Sequence, residues 1–427
     1  MASSSEAIGL KKAKAYVIGA GLAGLSAATA LAARGVHVSL FEAAPQAGGR
    51  CRSYFDPAFD GVIDNGNHFV LTGNDAVFGY LHRIGVTGAM QGSPVPEKDF
   101  FDIATGERWT IKPNAGRVPT WLLDASRRVP GTRALDYLEL FKLLLARPDQ
   151  RICDVLSCKG VLWERLLRPF FLGALNTQPE EASARLAGEL VRRTFLKGGN
   201  AYRSRIAHPT LAAAFVDPAL AYLKIRGGRV ALGERLRAIV FDSHGATALE
   251  FPDATIPLGP RDMVVLAVPP WVAKDLVPGL KAPEDFRAIV NAHFKFIPPA
   301  GASPMLGVIG GMAEWIFTFE DRISVTVSGA DAIVDRDRTE LAQALWAEVC
   351  AALGINAPLP VWQIVKEKRA TFAATPQEDA MRPGARTRWG NVAVAGDWTR
   401  TGLPATIEGA VQSGETAAAL VLRHLSL

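Results

Sequence analysis

Three glycines, Gly19, Gly21 and Gly24, spell GxGxxG between an apolar run and an alanine-rich stretch. Glycines at this spacing allow a tight turn, a close approach of the backbone to a pyrophosphate and close helix–strand packing, and the next helix N-terminus then faces the phosphates. Leu22 and Ala23 lie inside the motif. Glu42 follows 18 residues after Gly24, with Ala43 beside it. A carboxylate there accepts hydrogen bonds from the ribose hydroxyls of an adenosine and repels a 2′-phosphate. Gly48, Gly49 and Arg50 then make a second glycine turn ending in a fixed cation, with Arg52 close by. An extended flavin dinucleotide needs such a second phosphate-side element, so the chemistry points to FAD rather than NAD.

The other end of the chain repeats this logic. Gly396 and Asp397 follow an apolar run, where a carboxylate can accept from ribityl hydroxyls, and Thr406 and Ile407 open a helix whose dipole favours negative charge on a reduced flavin. His68 is the first candidate for a proton donor, since a histidine in a polar loop can titrate near neutrality. Glu408 and Asp64 are weaker candidates, and a structural role for His68 stays open. Trp163, Phe170 and Phe171, with neighbouring leucines, form an apolar face able to line a tunnel for a long hydrocarbon or to serve as core.

The elements that must position these residues follow from periodicity. Ala15–Ala20 reads as a buried parallel strand, Leu22–Arg34 as a helix and Val36–Glu42 as a second strand, which is a βαβ unit. Residues 15–33 are uncharged and follow Lys11, Lys12 and Lys14, imitating an export signal, but the strand directly behind them argues against that reading. Leu135–Arg147 and Val161–Leu175 carry apolar residues at helical spacing. Strands return from Leu223, notably at Met263–Pro270 and in a strand-rich lobe around Phe294–Ser328. A helix over Thr339–Leu353, a strand at 391–395 and a final long helix close the chain. The expected class is therefore α/β. A discontinuous Rossmann-like FAD-binding domain (12–75, 216–275 and 371–427) is joined to a mixed α+β substrate domain, mostly helical over 76–215 and strand-rich over 276–370.

At 427 residues and 49% hydrophobic content, the chain can bury a large core in two or three lobes. Its net charge of +5 is modest and its basic residues are interspersed with acidic ones, which argues against nucleic acid as a partner. Four cysteines are too few and too irregularly spaced for a disulfide framework, and none sits in a metal-binding spacing. No metal is expected, and a reducing cytoplasm fits. Leu135–Leu145 mixes leucines with Asp136, Glu139 and Lys142 and suits the inner face of a membrane, with Trp109 and Trp121 as candidate anchors.

The glycine and Glu42–Arg50 block, Ala267–Pro269 and Gly396–Ala410 together resemble the amine-oxidase/phytoene-desaturase flavoproteins over nearly the whole chain. DNGNHFVLTG from Asp64, LNTQPEEAS from Leu175, KRATFAATP from Lys368 and GDWTRTGLPATIEGAVQSG from Gly396 resemble, within them, the hydroxysqualene dehydroxylases. The resemblance implies an amine-oxidase-like fold, with Val230 and Ala267 as further FAD contacts. It implies reductive removal of a hydroxyl from the isoprenoid hydroxysqualene to give squalene, with NADPH or another reductant recharging the flavin. Asn67, the candidate polar substrate contact, departs from the family pattern, where glutamine is expected. A carotenoid-type desaturase, an amine oxidase or a non-catalytic FAD-binding lipid carrier are the alternatives.

Overall fold

The computed structural model describes residues 13–86 and 88–426, so Lys11 and Lys12 of the export-like flank lie outside the described residues. The β-branched and apolar runs KAYVI, HVSLFE and MVVL form strands Lys14–Ile18, His37–Glu42 and Met263–Leu266, nearly all buried. With Arg229–Leu232 and Val392–Val394 they make a five-stranded sheet in the order Arg229, His37, Lys14, Met263, Val392, every pairing parallel. A parallel sheet is covered on both faces, which is why its strands are continuous apolar runs instead of alternating ones.

The helix Leu22–Ala33 is apolar all round and correspondingly buried. It is held between this sheet and the C-terminal helix Ile407–Leu425. Gly414 allows that close crossing, since a Cβ there would stand 2.3 Å from the Ala23 carbonyl oxygen. The Ser26 hydroxyl donates to Val411 O at 2.9 Å across the same contact. The nucleotide lobe is thus built from distant parts of the chain, as the pattern of apolar runs suggested.

The second layer is a seven-stranded sheet in the order Trp362–Phe372, Phe286–Phe294, Ile323–Val327, Trp315–Thr318, Met305–Ile309, Lys98–Asp102, Arg108–Ile111. One face packs on the helix Arg338–Leu353 through Val290, Val325, Leu345 and Trp346. The other carries Asn291, His293, Ser324, Thr326 and Trp315.

Helical turns outnumber strands over 76–215, but the segment also carries strands that the periodicity did not announce. Two strands of this segment complete the seven-stranded sheet, and Ser204–Ala207 pairs with Phe69–Leu71 and Met90–Gln91 in a three-stranded one. Its helical parts are short. Ala134–Leu145 winds as 3₁₀ turns, and a π turn at Trp163–Leu167 runs into the helix Arg168–Leu175.

Three smaller readings are also corrected. Cys153 and Cys158, five residues apart, form a disulfide with Cα atoms 5.6 Å apart. Trp109 and Trp121 are 7% and 2% exposed, so they are core residues and not interfacial anchors. Leu223, placed at the return to strands, is a buried residue in the last turn of the helix Asp217–Ile225.

Candidate active site

The first glycine turn is compact because its backbone folds on itself. Gly19 has φ +102°, its N–H donates to Phe41 O at 2.7 Å, and a Cβ there would stand 2.3 Å from the Ala267 carbonyl oxygen. A Cβ at Gly24 would stand 1.9 Å from Gly19 O. Ala267 therefore buttresses the turn from behind, and Leu22 and Ala23 are buried in the helix it opens. Gly21 is different. Its chain neighbours aside, no heavy atom of the described residues lies within 4 Å of where its Cβ would be, and it caps a helix whose first amides receive no side-chain bond from them.

The second turn docks on the first through a parallel bridge between Gly48 and Gly21, and Gly48 N–H donates to Ala20 O at 2.8 Å. Open space over free helix N-terminal amides, walled by a second glycine turn, is the cradle a dinucleotide pyrophosphate requires, so these residues fit FAD.

Glu42 ends the second strand as expected. Its two carboxylate oxygens accept from the amides of Ala20 at 2.7 Å and Ala44 at 2.9 Å, which fixes the side chain beside the turn with lone pairs left over for ribose hydroxyls. Ala43 beside it is exposed. Val230 pairs with Leu40, two residues short of the Glu42 level, where Leu232 stands instead. It lines a cavity of about 330 Å³ with Leu220 and Lys224, so the structure does not bring its side chain to Glu42.

Arg50 and Asp397, expected at opposite ends of the cofactor, meet each other. Arg50 Nη2 lies 2.7 Å from Asp397 Oδ1, and Nη1 donates to Ala370 O. Arg52 turns back to Gly49 O at 2.9 Å. The loop after Gly396 is organised by a residue that the motifs did not single out, Arg382, which is 0% exposed. Its guanidinium donates to Thr399 O, Asp397 O and Thr401 Oγ1 and pairs with Asp379 at 3.0 Å. Thr406 caps the final helix by accepting from Gly409 N at 3.0 Å, with Ile407 as that helix's first residue.

Glu408 does not face this cradle. Its carboxylate accepts from Ala76 N at 3.2 Å and Val77 N at 3.0 Å, capping the helix Asp75–Arg83. Burial raises its pKa while those amides pull it down, but the group is occupied. The catalytic reading of Glu408 is corrected to that of a helix cap.

The loop Asp64–His68 lies against the polar face of the seven-stranded sheet. The buried Asp64 carboxylate accepts from Ser53 Oγ at 2.5 Å and Leu211 N at 3.0 Å, with Arg322 3.8 Å away, and burial pushes its pKa up. His293, 0% exposed, lies 3.0 Å through Nε2 from Asp64 O and 2.8 Å through Nδ1 from Ser324 Oγ. A carbonyl can only accept, so Nε2 carries the proton and Nδ1 accepts from the serine. Burial foremost, and then Arg322, lowers His293 to about 3. This histidine escaped the sequence reading because nothing local marks it.

Asn67 Nδ2 reaches Thr326 Oγ1 at 3.2 Å, Val325 O at 3.3 Å and Asn291 Oδ1 at 3.4 Å, while its own Oδ1 is buried without a partner among the described residues. His68 is half-buried beside it. Burial, and next the Arg50 charge, pushes its imidazole down to about 4. Both act against titration near neutrality, because a desolvated imidazolium next to a guanidinium is doubly disfavoured.

Beyond His68 a half-buried aromatic wall begins. The Phe69 ring centroid is 6.0 Å from that of Trp315, whose indole packs against Gly173 of the helix Arg168–Leu175. Phe170 of that helix continues to Phe195 at 5.8 Å, and Phe195 to Tyr202 at 6.0 Å. Of the three aromatics expected to line a tunnel, only Phe170 is part of this wall. Phe171 is 0% exposed and Trp163 4% exposed, and both are core. The 3.6-residue period that puts them on one helix face cannot say what covers that face.

A Rossmann-type cradle discontinuous in sequence, facing a mixed sheet through a loop carrying polar groups, defines an FAD-dependent oxidoreductase of amine-oxidase type. Residues 22–422 match the family model described as flavin containing amine oxidoreductase. A putrescine oxidase structure superposes with a TM-score of 0.70 over 96% of this chain and 99% of its own at 18% identity. Cyclohexylamine oxidase from Brevibacterium oxydans does so with 0.70 over 97% and 100%, also at 18% identity. The chain is 52% identical over 408 residues to a hydroxysqualene dehydroxylase of Rhodopseudomonas palustris, covering 95% of this chain and 98% of the relative. It is 49% identical over 407 residues to one of Sinorhizobium fredii, with the same coverage. The chain belongs to the flavin containing amine oxidoreductase family and, within it, to the hydroxysqualene dehydroxylases. Among the described residues no helix is long and apolar enough to cross a membrane.

Proposed function

We propose that this chain carries out the reductive dehydroxylation of hydroxysqualene to squalene, with NADPH or another reductant recharging it from outside. Near-full-length similarity to proteins of that name carries the reading, and the aromatic wall beside the cradle supports a long apolar substrate. Bound in reduced form, FAD would supply a hydride to the allylic carbon, and the hydroxyl would leave as water with one further proton drawn from solvent.

The chain's own residues bind, orient and exclude water. The glycine turns and the helix amides hold the pyrophosphate, Glu42 the ribose, and the Arg50–Asp397 pair the middle of the cofactor. Phe69, Trp315, Phe170 and Phe195 dry the substrate side, which strengthens every hydrogen bond to the departing hydroxyl. Asn67, anchored on Asn291 and Thr326, and the neutral His68 orient that hydroxyl. Burial and the Arg50 charge hold the His68 imidazole below its ordinary range, which favours the neutral ring at pH 7 and a role in positioning the hydroxyl. Contact with the inner face of the cytoplasmic membrane fits so lipophilic a substrate.

The test is anaerobic. Photoreduced protein mixed with hydroxysqualene should regain oxidised flavin absorbance while forming squalene mole for mole. Reduced flavin that persists, with no squalene formed, overturns the reading.

A further inference from the structure

The segment Ala134–Leu145 has an unusual division of its side chains. In 3₁₀ turns, residues three apart stack in one row. Tyr137, Leu140 and Leu143 form a buried row, seated on the helix Ala184–Arg193, where Gly188 leaves room for the Leu143 carbonyl. Leu135, Leu138 and Phe141 form a second row that is 71%, 53% and 46% exposed, and Leu145 is 87% exposed. The buried Trp121, its ring edge-on to Tyr137 at 5.7 Å, ties the adjoining turn to the same region and adds Val118 at 70% and Leu123 at 80%. Six of the sixteen large apolar side chains exposed among the described residues therefore lie between residues 118 and 145. So dense a cluster marks a contact surface.

Charge identifies what it contacts. Residues 112–147 hold seven Lys and Arg against three Asp and Glu, an excess of four where the whole chain has five. Two of the three acids, Asp136 and Glu139, are neutralised by Arg133 at 3.2 Å and Lys142 at 3.5 Å. The outer end of the aromatic wall also meets this region, since Gly198, beside the Phe195 turn, packs on the Gly116 carbonyl.

We propose that the 118–145 face docks on a bilayer of anionic lipid, inserting Leu135, Leu138, Phe141 and Leu145 below the headgroups while the flanking cations meet the lipid phosphates. This takes from the proposed function only the use of such a contact, delivery of a hydrocarbon to the wall that starts there. The surface itself stands on exposure and charge.

The experiment is flotation of the FAD-loaded full-length protein with vesicles of phosphatidylcholine alone or mixed equally with phosphatidylglycerol. Binding should be at least about tenfold tighter to the anionic vesicles and should weaken as salt is raised. Leu138→Glu with Phe141→Glu should lower vesicle affinity at least about tenfold while leaving bound-flavin absorbance and turnover of detergent-dispersed substrate unchanged. Lys112→Glu with Arg117→Glu, both on exposed side chains, should abolish the anionic preference and provides a second route if the first pair misfolds. Absence of vesicle binding by the wild type, or equal binding by all variants, overturns the proposal. So does a dimer in solution that the Leu138/Phe141 pair splits, since a second copy would then cover the face. Vesicle binding is read without turnover, so failure of the proposed reaction and failure of this surface are separate results.

Discussion

Gly21→Ala should separate cofactor binding from folding. Its backbone, φ −72° and ψ 175°, suits any residue, and, its chain neighbours aside, no atom of the described residues lies within 4 Å of the added methyl group. The change therefore costs the fold almost nothing. Restricting the unfolded chain contributes about 0.4–1 kcal/mol of stability, offset by a few tenths for exchanging glycine at a helix cap. The same methyl group projects into the space over the helix amides, where a pyrophosphate oxygen must approach. Losing one charge-assisted hydrogen bond there costs about 1.5–3 kcal/mol, or roughly 10- to 150-fold in FAD affinity. Titration of apoprotein with FAD, read by flavin absorbance, measures the affinity, and a thermal melt of the apoprotein measures the fold. Gly24→Ala is the control, since its Cβ would stand 1.9 Å from Gly19 O and should destabilise the apoprotein itself by about 1–3 kcal/mol. Gly21→Ala with FAD affinity within about threefold of wild type would refute the placement of the pyrophosphate, whatever its melting temperature.

Glu408→Ala uncaps the helix Asp75–Arg83 and should lower stability by about 1–2 kcal/mol, with turnover per bound flavin unchanged; a hundredfold fall in turnover at full flavin content would restore its catalytic reading. Phe170→Asp should abolish squalene formation with FAD retained, whereas Phe171→Asp, on a side chain that is 0% exposed, should give little folded protein; soluble, flavin-loaded Phe171→Asp would show that it is not core. His293 and His68 have folded pKa values of about 3 and about 4 against 6.5 unfolded. The unfolded chain thus binds more protons between these limits. The stability they contribute is complete above about pH 6.5 and lost as pH falls toward 3, at up to about 1.4 kcal/mol per unit per group. Urea titrations of wild type and His293→Gln from pH 7 to pH 4 check this, and parallel curves would show that His293 does not titrate on unfolding. His68→Ala should slow anaerobic reoxidation by hydroxysqualene at pH 7 by about tenfold or less, and a loss of a hundredfold or more would mark His68 as the acid.

What could be read without a structure was whatever a contiguous stretch must satisfy by itself. Gly19 and Gly24 are glycines because a backbone oxygen occupies the place of a Cβ, Glu42 closes its strand at the turn, and unbroken apolar runs announce strands covered on both faces. Those demands act within one βαβ unit, so residue type and spacing report them, and the cofactor follows. The rest depended on partners far along the chain. Phe170 and Phe171 are chemically alike, yet one is left half-buried against Phe195 while the core encloses the other. Glu408 sits in a flavin-site motif but points at a helix more than three hundred residues earlier. Leucines between 135 and 145 read as an α-helical stripe, but the segment winds as 3₁₀ turns on a neighbour and turns a different row outward. His293 and Arg382 carry no local signature, because a buried imidazole or guanidinium is tolerated only where distant carbonyls, hydroxyls and carboxylates converge on it. Periodicity fixes which side chains share a face. Only the tertiary fold decides what that face meets, because burial, desolvation and hydrogen-bond partners belong to pairs of segments and not to either one alone.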